Sequence, residues 1–159
     1  MVKINLVCVG KIKDKYLLEG INEYLKRLSK YASFQIIEIV DEKIFENSND
    51  SLDKIIKEKE SKKVLDKIGN DYSVLLDVYG QEVSSEGFAS FLEKSIDNGI
   101  SKINFIISGS LGPSDELRAK VNKRISLSKM TFTHQMTRLL LLEQIYRAFK
   151  INNNEIYHK

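Results

Sequence analysis

His134 and Arg138 stand four residues apart in the run Met130-Thr131-Phe132-Thr133-His134-Gln135-Met136-Thr137-Arg138. On a helix, that spacing sets both side chains on one face, a turn apart. A histidine at a helix N-terminus has its charged form disfavoured by the dipole, so it can stay neutral and serve as a base or a donor. Arginine adds a planar fork of donors suited to a nucleobase or a phosphate. A histidine that merely packs or sits at the surface is the plain alternative. Arg147, Lys150, Tyr157 and His158 form a second group, cationic and with a ring fit for stacking on bases; polar chain ends are also often frayed and without function. A third candidate is Ser108 with Gly109-Ser110-Leu111-Gly112, whose backbone N–H groups beside a strand end could bind an adenosine or a carboxylate. The same glycines also suit a tight turn between a strand and a helix.

Several chemistries are disfavoured by what is missing. No GxGxxG follows the first strand and no GxxxxGK[ST] occurs, so neither an ordinary dinucleotide site nor a phosphate-cradling loop is expected. The single cysteine excludes an intramolecular disulfide, and without a CxxC or Cys/His cluster no metal is expected. The chain of 159 residues fits one domain, residues 1–159, with a core large enough to need no crosslinks. One proline and 42% hydrophobic residues argue against disorder. No apolar run is longer than that of Leu139-Leu140-Leu141-Leu142, far short of the roughly 20 residues a membrane span needs, and no signal peptide is recognisable. A cytoplasmic protein without a membrane partner is expected.

The net charge of +3 hides an asymmetry. Residues 1–116 sum to −4, whereas residues 117–159 carry nine Lys/Arg against only Glu143 and Glu155, or +7. A localised anionic partner, above all nucleic acid, is one reading of this pattern; a solvated basic face is the other.

The elements that must position these residues follow from periodicity. Strands are expected at Val2–Val9, Phe34–Val40, Tyr72–Tyr79 (stopped by Gly80), Lys102–Ser108 and, as a short fifth, Ile125–Met130. Helices are expected at Tyr16–Tyr31, at Ser51–Ile68, from a Ser84 or Ser85 cap to Ile96, briefly after Ser114, and at Thr133–Ile151. Alternation of this kind predicts an α/β domain whose mostly parallel sheet is covered by helices on both faces. Ligands of such sheets sit beyond the carboxyl ends of the strands, here at Asp77–Gln81, Ser108–Pro113 and around Lys129. The last helix is apolar on too many sides for one buried face, so it is either central in the core or sandwiched between core and partner, and a symmetric dimer through it is the better reading.

Ser128-Lys129-Met130-Thr131-Phe132, His134-Gln135-Met136 with Arg138, Glu143-Gln144-Ile145-Tyr146-Arg147-Ala148-Phe149-Lys150 and the terminal Tyr157-His158-Lys159 resemble the RlmH family of large-subunit rRNA pseudouridine methyltransferases. Val9-Gly10-Lys11 and the Ser108–Gly112 loop fit as well, so the resemblance runs the whole length. It implies a SPOUT-class fold with a C-terminal trefoil knot, an exception among folds. It implies S-adenosyl-L-methionine as cofactor, and a homodimer that methylates N3 of a pseudouridine in helix 69 of 23S rRNA on the large subunit or the 70S ribosome. The alternative is a non-catalytic ribosome- or RNA-binding α/β domain. By residue match, the cofactor would lie among Leu76, Val78 and Gly80; Ser108, Gly109 and Gly112; and Leu127, Ser128, Lys129, Met130, Thr131 and Phe132. His134, Arg138 and His158 would be the catalytic candidates, with Arg138, Arg147, Lys150, Tyr157, His158 and Lys159 toward the RNA. Two positions depart from the family pattern: Ser108 replaces a usual glycine, and Thr133 stands where a proline is common before the histidine.

Overall fold

In the computed structural model, residues 1–157 are described. Five parallel strands form one sheet: β1 (Lys3–Val9), β2 (Ser33–Ile39), β3 (Ser73–Glu82), β4 (Lys102–Ile107) and β5 (Lys123–Ser126), in the order β2-β1-β4-β3-β5. The helices are α1 (Lys15–Leu28), α2 (Asp50–Ile68), α3 (Ser85–Asp97), α4 (Asp115–Lys120) and α5 (His134–Asn152). Alternate side chains of each strand point to opposite faces. Ile4, Leu6 and Cys8 therefore join Ile103, Phe105 and residues of α1, α3 and α5 in one core. Val7 and Val9 join Leu75, Ile106 and the apolar side of α2 and α4 in another. The sheet is thus covered on both faces, as the alternation predicts.

Local chemistry sets the helix starts. Ser84 Oγ accepts from Gly87 N at 3.0 Å, Ser114 Oγ from Leu117 N at 3.1 Å and Thr133 Oγ1 from Met136 N at 3.2 Å. Each satisfies one of the N–H groups that a helix leaves unpaired at its start. Thr133 itself caps α5 in this way, in place of a preceding proline.

Two strand boundaries differ from those expected. Gly80 does not stop β3, which runs on to Glu82. Ile125 of β5 pairs with both Leu76 and Gln81, so residues 77–80 are displaced from the ladder as a bulge. A Cβ at Gly80 would lie 2.8 Å from the carbonyl carbon of Arg124, so glycine is required there by the close passage of β5. β5 begins at Lys123 and ends at Ser126, before the expected Leu127–Met130. A turn follows instead, closed by Ser126 Oγ donating to Ser128 O at 2.8 Å and Met130 N donating to Ser128 Oγ at 3.0 Å.

Candidate active site

The loops after β3, β4 and β5 converge, with the start of α1 and the entrance of α5, around a cleft of about 700 Å³. That lies within the usual range for a small-molecule site, roughly 300–1,000 Å³. Ten of the twelve residues expected to hold a cofactor line it: Leu76, Val78, Ser108, Gly109, Gly112, Leu127, Ser128, Met130, Thr131 and Phe132. Gly80 and Lys129 do not. Gly80 lies against the β5 backbone, and Lys129 is exposed beyond the turn.

Each loop is braced from behind. In the bulge, Asp77 is buried and accepts from Arg118 Nε at 2.9 Å, Tyr79 N at 3.2 Å and Arg124 Nη1 at 3.3 Å. Burial by itself would raise its carboxyl pKa, but the Arg118, Tyr79 and Arg124 contacts outweigh that and hold it below the ordinary value. Two successive residues of α2 stand behind the β4 loop, one bonded to its end and the other to the loop after β2. Ser61 Oγ accepts from Ser114 N at 2.9 Å, and Glu60, only 5% exposed, accepts from Glu42 N at 2.9 Å. A Cβ at Gly109 would lie 2.8 Å from Glu60 Oε1, so the loop's first glycine is matched to this carboxylate. Burial raises the Glu60 carboxyl pKa, and the nearby Asp41 and Glu42 add to that against the Glu42 N–H bond and Lys63.

His134 faces the cleft at the first turn of α5. Its Nε2 lies 3.5 Å from the place of a Cβ on Gly10, whose φ of +98° is a glycine conformation. Burial, reinforced by the positive charge of Arg138 and opposed by Asp41, holds the imidazole below its ordinary pKa. The dipole argument from sequence and the surroundings therefore agree on a neutral histidine.

Arg138 is on the same side of α5 but is turned inward. It is 2% exposed, pairs through Nη1 with Glu38 Oε2 at 2.8 Å, and donates through Nη2 to Gly10 O at 3.2 Å. Its Nε is buried without a partner among the described residues. In this structure Arg138 supports the Gly10 turn beneath His134 and does not face solvent. The other expected RNA contacts also engage the chain itself. Arg147 pairs with Glu143 at 2.5 Å, and Lys150 with Glu155 at 2.8 Å. Tyr157 packs edge-on against Tyr146 at 4.9 Å, with its hydroxyl 3.1 Å from Glu143 Oε1. His158 and Lys159 lie outside the described residues.

Periodicity reaches Asp77 only as the first residue of the Asp77–Gln81 segment and gives no role to Glu60 or Glu38. Glu60 carried a readable signal: it falls on the i, i+4 stripe of Ile56, Val64 and Ile68, where a carboxylate is out of place. Asp77 is the one acid in the apolar run of β3 before Gly80. Glu38 gave no signal, since its partner is 100 residues away.

A methyl donor of nucleoside size fits this site. Leu76, Ile107 and Leu127 give an apolar floor. Ser108 Oγ is a buried polar atom with no partner among the described residues, and Gly112 adopts a φ of +86° that frees its backbone from side-chain bulk.

Known proteins match this chain along its whole length. The family model described as "Predicted SPOUT methyltransferase" matches residues 2–158. A curated protein of Bacillus thuringiensis (strain Al Hakam) named Ribosomal RNA large subunit methyltransferase H is 50% identical over 159 residues, 99% of this chain and 100% of its own. Its namesake from Bacillus cytotoxicus is 51% identical over the same shares. A solved structure of a probable methyltransferase from Bordetella pertussis Tohama I shares the fold, with a TM-score of 0.56 at 5% identity over 92% of this chain and 96% of that one. A probable methylase family protein from Haemophilus influenzae Rd KW20 aligns at a TM-score of 0.51 and 12% identity, over 95% of this chain and 66% of its own. With a parallel sheet of this kind, a donor-sized cleft at its carboxyl edge and matches that run from end to end, the chain belongs to the SPOUT methyltransferase family.

Proposed function

We propose that the cleft binds S-adenosylmethionine and that the protein methylates N3 of a pseudouridine in the helix-69 loop of 23S rRNA, on assembled ribosomes in the cytoplasm. The observation that carries this reading is the half-identity, over the full length of both chains, to curated proteins named as large-subunit rRNA methyltransferases. The knotted path belongs to the proposal too and rests on the match to the SPOUT family.

When bound, the methyl donor supplies a carbon already activated for displacement, so the protein must chiefly align an in-line attack and keep water out. Leu76, Val78, the Ser108–Gly112 loop, Leu127, Ser128 and Met130–Phe132 would hold it. The N3 proton has to leave as the new bond forms, and His134 is the base suited to take it: neutral, at the cleft wall, within the first turn of α5. Arg138 acts through His134 as a positioning residue, disfavouring its charged form and fixing the Gly10 turn. Tyr157, His158 and Lys159 are assigned to the nucleotide by resemblance alone. A homodimer is supported by the exposed Tyr16, Leu18 and Phe132, apolar groups that a second copy would cover around the cleft.

The test is incubation with labelled donor and ribosomes lacking the modification. Label in 23S rRNA at a pseudouridine N3 is expected. Ribosome binding without transfer, and without heat of binding for the donor, would establish the non-catalytic alternative instead. Removing His158 and Lys159 is expected to abolish transfer while leaving the melting transition intact.

A further inference from the structure

The last quarter of the sequence carries the basic excess, yet much of that charge is spent inside the molecule on Glu38, Glu143 and Glu155. Other cations have no such carboxylate partner among the described residues. Lys11 and Lys13 follow β1, are exposed, and have no carboxylate partner among the described residues. Their loop borders the cleft: Asp14, Tyr16 and Leu17 line it, and Lys13 N approaches Gln135 Oε1 at 3.4 Å. On the far side, Lys129 is likewise exposed and without a carboxylate partner among the described residues. The rim also carries Tyr79, from the bulge of β3, the strand that pairs with β5; it is 78% exposed, with the Arg118 guanidinium 5.7 Å from its ring centroid. That arginine is fixed by Asp77 and by Asp115 at 3.3 Å, so the stack is preorganised. In the sheet, β4 and β3 separate β1 from β5, three strand spacings or roughly 14 Å. Cations therefore flank the cleft on both sides, and an open aromatic face lies on one of them.

We propose that single-stranded RNA crosses the cleft mouth between these two lips, its phosphates on Lys11, Lys13 and Lys129 and a base beside the target stacked on Tyr79. The inference rests on the proposed function and adds the track by which the substrate enters. Charge without a base-reading pattern suits backbone contact, and a π-face accepts any base, so this surface positions the strand and leaves selection to the cleft. Lys129 thereby moves from the cofactor to the substrate.

The experiment measures binding of the labelled full-length protein to 70S ribosomes over a KCl series at fixed magnesium. Replacing Lys11, Lys13 and Lys129 together by alanine is expected to reduce the slope of log K against log salt by about 2, near 0.7 per lost phosphate contact. Tyr79→Ala is expected to weaken binding about ten-fold with the slope unchanged. Replacing the exposed Lys54, Lys59 and Lys62 of α2 by alanine is the control and should leave the slope as it was. An unchanged slope in the first variant, an equal drop in the control, or a Tyr79→Ala effect on dimerisation alone would each overturn the inference. If the wild-type protein methylates ribosomes while the slope stays put, only this track falls; if it transfers no methyl group, the underlying function falls.

Discussion

Arg138 and Lys129 come from the same basic stretch, nine residues apart, and meet opposite surroundings. Arg138 is withdrawn from water, with two acceptors and one nitrogen that has no partner among the described residues. Lys129 stands in solvent at the rim of the cleft. The difference follows from where each falls on its element. Arg138 is one turn into an apolar helix whose face must bury, so its charge is tolerated only with Glu38 beside it. Lys129 lies in a turn that already satisfies its backbone through Ser126 and Ser128, and nothing draws its side chain inward. Charge counted along a sequence is therefore not charge offered to a partner.

Arg138→Ala tests the contrast hardest. The change removes two charge-assisted hydrogen bonds and a buried stem while Glu38, 39% exposed, stays within reach of water, a loss of about 2 kcal/mol that urea denaturation should resolve as a lower midpoint at unchanged slope. A variant of full stability that still fails to bind ribosomes would mean that Arg138 faces the RNA after all. His134→Gln is expected to lower transfer roughly 100-fold, the lower range for a lost general base. In the wild type the acid limb of the pH–rate profile should fall below the ordinary histidine value of 6.5, because burial and then Arg138 disfavour the charged imidazole. Arg138→Lys should keep that limb nearly in place.

A smaller effect concerns Glu60. Its carboxyl pKa is raised by burial in the folded state, so folding binds the proton more tightly. The stabilisation is complete below the unfolded value and is lost as pH rises through the folded one. Glu60→Gln should thus stabilise the protein at neutral pH by about 1 kcal/mol, with the advantage vanishing in acid. Its neutral amide would also loosen the match to Gly109, seen as a higher KM for the donor at unchanged kcat. Smallest of all, alanine at both Lys11 and Lys13 should change stability by less than about 0.5 kcal/mol. That would confirm that these cations hold nothing within the fold.

Much of the architecture was legible because it rests on local chemistry. Ser84, Ser114 and Thr133 announce helix starts, and β-branched runs ending in glycine announce most strands. The cleft is legible in outline, since strand ends are where open sheets bind ligands and the loops after β3, β4 and β5 line it. Gly80 misled because its requirement comes from another strand's backbone and not from its own turn. Arg138 misled for a similar reason: helical spacing gives the face it shares with His134 but not which neighbour waits there. Glu38 is distant in sequence and adjacent only after β1 and β2 pair.

The double pairing of Ile125 with Leu76 and Gln81 has a consequence for how such an enzyme can diversify. Because the ladder resumes on the same β5 residue, the excursion over residues 77–80 is decoupled from strand register. Its length can change without turning any core side chain to the wrong face. Insertions or deletions there would reshape one wall of the cleft while the sheet behind it stayed in place, giving evolution, or a protein engineer, an adjustable loop on a fixed frame.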